Sequence, residues 1–342
     1  MMLNNLECEL LNNYQRDFPL TSRPFAVLAR ELGTVESTVI ALLRRFARSG
    51  VVSRVGPVFR PNTVGVSTLA AASVPERNLI ATADCVNSFA EVNHNYEREH
   101  HLNLWFVINT ATRERLDVVL CEIERRTGHQ VISLPLIRDY YIDLGFELDF
   151  GNGRRPGHKM NSAKSKACMS RKSEWRGCGD LIAALQAGLP LEHKPYAAIA
   201  ERAGLTEEAL IALIGNMQNA GVIKRFGVVV RHHELGYRAN AMCVWDVADE
   251  RVDELGERMA NLPFVNLCYR RKRCSPAWPY NLFCMVHGKE RDRVLGRMEQ
   301  LNRDLRLLAL PRAVLFSARR FKQRGALYRV DESIDNERTA YG

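Results

Sequence analysis

FPLTSRPFAVLARELGTVESTVIALLRRFARSGVVSRVGPVFRPNTVG, residues 18–65, decides the fold, because it returns as LPLEHKPYAAIAERAGLTEEALIALIGNMQNAGVIKRFGVVVRHHELG at 189–236. Pro19, Pro24, Gly33, Gly50, Arg54, Gly56, Arg60 and Gly65 meet Pro190, Pro195, Gly204, Gly221, Arg225, Gly227, Arg231 and Gly236 at one offset of 171. A chain that repeats its own punctuation at such a spacing holds two copies of one unit. In each copy a proline opens a short apolar-periodic helix, predicted over Pro24 to Leu32 and Pro195 to Ala203. A glycine turn then leads to a longer helix, Glu36 to Arg48 and Glu207 to Asn219. Proline fixes φ where the amide hydrogen lacks a partner anyway, and Gly50 or Gly221 supplies the left-handed cap. The pattern is a helix-turn-helix.

The repeat continues downstream with a drifting offset. CVNSFAEVNHNYER (85–98) meets RMANLPFVNLCYRR (258–271), and LNLWFV (102–107) meets YNLFCM (280–285). After the wing-like strand SRVGPVFR come the strand VSTLAAASV, a helix near Glu76 to Cys85 and strands around Ser88 to Arg98 and Leu102 to Ile108. A helix over Arg113 to Thr127 and a strand around Val131 to Tyr141 complete the copy. The second copy repeats them as ANAMCVWDV, Arg251 to Leu262, Phe264 to Arg271, Tyr280 to Val286, Arg291 to Leu301 and Leu307 to Phe316. The order β-α-β-β-α-β is the ferredoxin-like motif. The predicted fold class is α+β: two tandem copies of a winged helix-turn-helix plus a ferredoxin-like module. The boundaries fall at 1–60, 61–150, a basic flexible linker 151–178, 179–234, 235–330 and a tail 331–342. One face of each antiparallel sheet is left open for a ligand or another sheet, which predicts a homodimer.

Composition narrows the function classes. The chain has 342 residues, 46% apolar and 25% charged, with a net charge of +9. Residues 151–178 hold eight Lys/Arg against Glu174 alone, a net of +7, so the folded parts are nearly neutral. No apolar run approaches the ~20 residues a bilayer crossing needs, and nothing at the N-terminus resembles an export signal. A cytoplasmic protein without a membrane partner is expected. Nine scattered cysteines with no CxxC pair argue against a disulfide scaffold or a zinc finger. A DNA-reading helix should open with basic or amide side chains. Here the two longer helices open on Glu36 and on Glu207 and Glu208, so specific DNA binding is not expected.

The chemistry gathers in the strands. In EVNHNYEREHHLNLWF (91–106), period two sends His94, Tyr96, Arg98 and His100 to one face if the strand runs through them. Two imidazoles, a phenol and a guanidinium suit a polycarboxylate, since Arg offers a carboxylate fork and His carries a proton near neutral pH. One of His100 and His101 is expected to point inward, and Asn103 and Trp105 continue on the returning strand. The second copy repeats the spacing in Tyr269 and Arg271 but puts Leu267 where His94 stands. It adds Arg270, Lys272, Arg273, the loop Pro276-Ala277-Trp278-Pro279, Tyr280, Asn281 and His287, which suggests an anion-binding rim around an aromatic platform. Each residue also has a plain reading: a hydrogen-bonded sheet histidine, a packing tyrosine, a surface ion pair or a solvated basic hairpin.

The helix-turn-helix followed by a ferredoxin-like module resembles the Lrp/AsnC regulators. The blocks HNYERxHxxNLWF and CYRRxxxxxxWPYNLFxMxHG are similar to the two motifs of the siroheme decarboxylases, AsnC-like proteins of haem d1 and alternative haem biosynthesis. The resemblance covers essentially the whole chain, the first half D-type and the second L-type, as in a fusion. It implies removal of the acetate carboxyl groups at C12 and C18 of siroheme, giving 12,18-didecarboxysiroheme and two CO2. It implies no separate cofactor, the iron belonging to the substrate, with His287 or His94 as a contact to that iron. Within it, His94, His100, His101 and Tyr96 are the catalytic candidates. Arg98, Asn103, Trp105, Tyr269, Arg270, Arg271, Arg273, Trp278, Tyr280, Asn281 and His287 are the substrate-binding ones. Leu267 argues for a single competent pocket between the unlike halves. A tetrapyrrole-responsive regulator of the Lrp/AsnC type and a non-catalytic haem-binding protein are the alternatives.

Overall fold

The computed structural model describes residues 3–142, 145, 148 and 179–325, so the expected linker at 151–178 and the tail at 331–342 lie outside the described residues. The first half runs α1 (Asn5–Asn13), α2 (Pro24–Glu31), α3 (Glu36–Arg48), β1 (Val52–Phe59), β2 (Val66–Ala72), α4 (Glu76–Ser88), β3 (Val92–Arg98), β4 (Leu104–Thr110), α5 (Arg113–Thr127) and β5 (Val131–Ile142). The second runs α6 (Gly179–Ala187), α7 (Pro195–Arg202), α8 (Glu207–Asn219), β6 (Ile223–Val230), β7 (Ala239–Trp245), α9 (Val252–Ala260), β8 (Leu267–Arg271), β9 (Leu282–Gly288), α10 (Arg291–Asp304) and β10 (Arg312–Gln323). Helices α1 and α6, one ahead of each helix-turn-helix, were not foreseen. Two compact units result, and they group like with like: residues 1–64 with 145–235, and 65–144 with 236–342.

The first unit holds both helix-turn-helices. Gly50 and Gly221 cap the longer helices at φ 79° and 70°, as the sequence demands. The wings β1 and β6 pair with each other, antiparallel, with Gly56 opposite Gly227. A side chain on Gly227 would collide with the backbone of Tyr14 and Gln15, so only glycine fits this approach. Two of the acids that open the long helices, Glu36 and Glu207, are engaged within the unit. Glu36 accepts from Arg23 and lies 2.7 Å from His193 Nδ1, while Glu207 accepts from Ser22 Oγ at 2.8 Å.

The second unit holds both ferredoxin-like modules, and they do not stand apart. Their strands close one eight-stranded barrel in the order β10-β3-β4-β2-β5-β8-β9-β7. Strand β5 pairs with β2 through Thr68↔Pro135 to Ala72↔Val131, then with β8 through Leu136↔Arg271 to Ile142↔Leu267. Strand β10 mirrors it, pairing with β7 up to Phe316↔Ala241 and with β3 from Ser317↔Arg98. Each half thus finishes its sheet on the other. Helices α4 and α5 cover one outer core with Leu79, Val86, Leu116 and Ile123, and α9 and α10 cover another with Leu255, Met259, Val294 and Met298. The inner face is packed by both halves, with Leu69, Trp105, Leu134, Met242, Trp278, Phe283 and Leu315 in one cluster. The sheet face expected to be open for a second copy is therefore covered within the chain, and that reason for a homodimer falls away. Gly256 of α9 lies under the Tyr140 ring, where a Cβ would clash.

Candidate active site

Alternation along β3 puts His94, Tyr96 and Arg98 on the face that carries Trp105, because Tyr96 lies opposite Trp105 in register. The His94 and Tyr96 rings stack with centroids 6.1 Å apart, and the Arg98 guanidinium sits 5.8 Å from the Tyr96 ring center. The expected stripe ends there. The strand stops at Arg98, so His100 falls in the turn, its backbone N–H bonded to the Arg98 carbonyl at 2.9 Å.

Arg98 is an unusual group, and Arg271 shares with it a buried Nε that has no partner among the described residues. Arg98 is only 8% exposed; its Nη1 donates to the Leu315 carbonyl at 3.1 Å, while its buried Nε has no partner among the described residues. No carboxylate pairs with it among the described residues. Burial pushes its pKa down, yet a guanidinium stays charged. A buried cation without a counter-charge is costly and marks a place for an anion.

The other strands bring more polar groups to this face. In the β3–β10 register Arg320 lies opposite Tyr96 and Gln323 opposite His94, and Arg320 Nη1 donates to Gln323 Oε1 at 3.1 Å. From the second half comes His287, half-buried on β9, with its ring Nδ1 3.0 Å from Asn266 Oδ1. Burial and the nearby Arg98 charge push the His287 pKa down to about 4. Burial alone does the same to His94, also to about 4. Both imidazoles are thus neutral at pH 7 in the free protein, whereas the sequence expectation gave His94 a protonated fraction.

Other predicted residues are placed elsewhere or committed to the fold. The ring of His100 lies 4.2 Å from that of the exposed His101, tilted by 40°, and meets Trp278 edge-on at 5.4 Å, and burial and then His101 bring the His100 pKa to about 4. Trp105 and Trp278 are fully buried and meet edge-on at 4.8 Å, with Tyr280 4.9 Å from Trp278. The expected aromatic platform is barrel filling. The expected basic rim is neutralised: Arg270 pairs with Asp249, and Arg273 with Asp246 and Asp249 as well as the Pro279 and Val247 carbonyls. Asn103 and Asn281 spend their amides on the backbones of Val74 and Val247. Tyr269 stacks on Phe283 at 5.5 Å with Arg271 4.7 Å from its ring center, and Arg271 donates to the Leu134 carbonyl at 2.7 Å. Sequence reasoning missed Arg320 and Gln323 because it ended the last strand at Phe316. The equivalent first-half strand, expected out to Tyr141, was the signal that β10 runs further.

A family model described as an AsnC-like ligand binding domain matches residues 63–141 and 234–322. Another, described as a siroheme decarboxylase NirDL-like HTH domain, matches 7–52 and 180–224. A siroheme decarboxylase NirDL subunit from Paracoccus pantotrophus is 38% identical over 328 residues, spanning 96% of this chain and 98% of that one. A crystal structure of the siroheme decarboxylase NirDL aligns with a TM-score of 0.68 at 27% identity over 98% of both chains. A second, NirDL in co-complex with an iron-uroporphyrin III analogue, aligns at 0.67 and 27% identity over 99% of this chain and 100% of that one.

Proposed function

The chain belongs to the siroheme decarboxylase family, and we propose that the face of its barrel built on His94, Tyr96, Arg98 and His287 removes the C12 and C18 acetate carboxyl groups of siroheme. The products are 12,18-didecarboxysiroheme and two CO2, in haem d1 biosynthesis. The observation that carries this reading is Arg98, a buried guanidinium with no carboxylate partner among the described residues. A substrate rich in carboxylates supplies the missing counter-charge.

In each decarboxylation the bond between the acetate methylene and its carboxyl carbon breaks. CO2 leaves, the electron pair stays on the methylene carbon in conjugation with the macrocycle, and a proton delivered there makes the methyl group. Arg98 fixes a peripheral carboxylate, and Arg271 stands at the equivalent register position of the second half. His94 is the favored proton carrier and His287 the second. Both are neutral in the free protein, and bound carboxylates favor their protonated form, so the substrate itself charges its acid. Whichever of His287 and His94 does not carry the proton is the proposed contact to the substrate iron. The iron enters with the substrate and no separate cofactor is invoked.

Incubating the protein with siroheme under anaerobic conditions and weighing the product tests the reading. Loss of two carboxyl groups is the expected result. A spectral change without mass loss would favor a haem-binding protein, and tight operator binding without mass loss a regulator. A cytoplasmic setting and a homodimer of the fused chain are further proposals, the second checked by its mass in solution.

A further inference from the structure

The two halves place equivalent residues in equivalent registers, and the differences fall on one face of each. On the first, Gln323 stands opposite His94 and Arg320 opposite Tyr96. On the second, Ile142 stands opposite Leu267 and Asp139 opposite Tyr269. Arg98 and Arg271 are held alike, each by a carbonyl of the crossing strand, Leu315 or Leu134. The His–Gln pair is thus replaced by a Leu–Ile pair packed on the barrel core, and a cation by an anion. We propose that Arg320, carried by the last strand of the second half, binds a substrate carboxylate at the first face, and that Asp139 keeps the second face from taking a substrate.

The chemistry follows from charge and geometry. Opposed residues on neighboring antiparallel strands share a face, so Arg320 adds a second guanidinium to the face of Arg98. Two forks in a fixed frame discriminate among the carboxylates of one macrocycle better than one. Gln323, accepting from Arg320 at 3.1 Å, positions that fork. On the second face Asp139 sets a negative charge where Arg320 stands on the first, and like charges repel most where water is scarce. The protein then has one productive face, assembled from both halves, although its barrel is pseudo-symmetric. The inference rests on the siroheme reading only in requiring a polycarboxylate macrocycle.

Anaerobic titration with iron uroporphyrin III tests it. The wild-type chain is expected to bind one equivalent. Arg320→Gln is expected to bind about ten-fold more weakly or worse, with Arg320→Lys recovering part of the loss and thermal melting unchanged. Asp139→Arg is expected to add a second, weaker binding step; if that variant melts early, Asp139→Asn is read in its place. Two equivalents in the wild type, unchanged affinity in Arg320→Gln, or a folded Asp139 variant with no second step would overturn the assignment. Product mass from siroheme separates the two levels. Wild-type turnover alongside an unaffected Arg320→Gln sinks this inference alone, whereas a wild type that removes no carboxyl group sinks the function.

Discussion

Asn103 closes both backbone groups of Val74, donating to its carbonyl at 2.8 Å and accepting from its N–H at 2.9 Å. Asn281 does the same for Val247, at 2.8 and 3.0 Å. These two asparagines tie a sheet strand to the turn after its neighbor, so Asn103→Ala and Asn281→Ala are each expected to cost about 1–3 kcal/mol of stability by orphaning backbone groups. Urea unfolding checks the loss. Turnover per folded molecule is expected to hold; weakened substrate binding at full stability would return them to the site.

Arg98 and Arg271 are expected to part company. Arg98→Gln removes a buried, uncompensated cation, so the free protein gains stability or keeps it while substrate affinity falls by about 2 kcal/mol or more. Arg271→Gln, on the face with Asp139, is expected to lose less than about 1 kcal/mol of affinity. Paired melting curves and anaerobic titrations decide, and equal affinity losses would put substrate on both faces.

Protonation gives a third expectation. His94 and His287 have their pKa values lowered to about 4, against about 6.5 in an unfolded chain. Between those values the unfolded chain binds more protons than the native one. Stability from these groups is therefore present above about pH 6.5 and lost as pH falls toward 4. Substrate binding reverses the bias, takes up protons, and weakens as pH rises above about 4, the value of the free protein. Calorimetry in buffers of different ionisation enthalpy measures the uptake. It is expected to shrink in His94→Gln and His287→Gln. His94→Ala is expected to reduce turnover more than affinity, and more than His100→Ala or His101→Ala does.

The fold was largely written in local pattern. Helix α5 occupies Arg113–Thr127 and α3 Glu36–Arg48, the spans their periodicity and caps predict. The exchange of β5 and β10 was not legible, because each half's β-α-β-β-α-β order is complete by itself and nothing local says which strand will accept its end. For the same reason the open sheet face was misjudged. In the site, strand parity placed His94, Tyr96 and Arg98 together, but it could not show that Asp246 and Asp249 claim Arg273. Those contacts come from loops whose meeting depends on the closed barrel. Arg320 was hidden by one misjudged strand end.

The helix-turn-helix unit is expected to give at most weak DNA binding that fades between roughly 50 and 200 mM salt. Both long helices begin with acids already engaged inside the unit, Glu36 with Arg23 and His193 and Glu207 with Ser22. Fluorescence anisotropy against duplexes checks this; tight, sequence-specific binding at physiological salt would revive the regulator alternative.

The crossing of β10 onto β3 joins groups 217 positions apart, such as Arg98 and Leu315. In a protein made of two separate chains that contact would wait on a collision, and its population would rise and fall with protein concentration. Here it is a loop closure, whose entropic cost grows only slowly with length. The barrel of this chain consequently assembles as a unimolecular event, so dilution does not dismantle the face that both halves build.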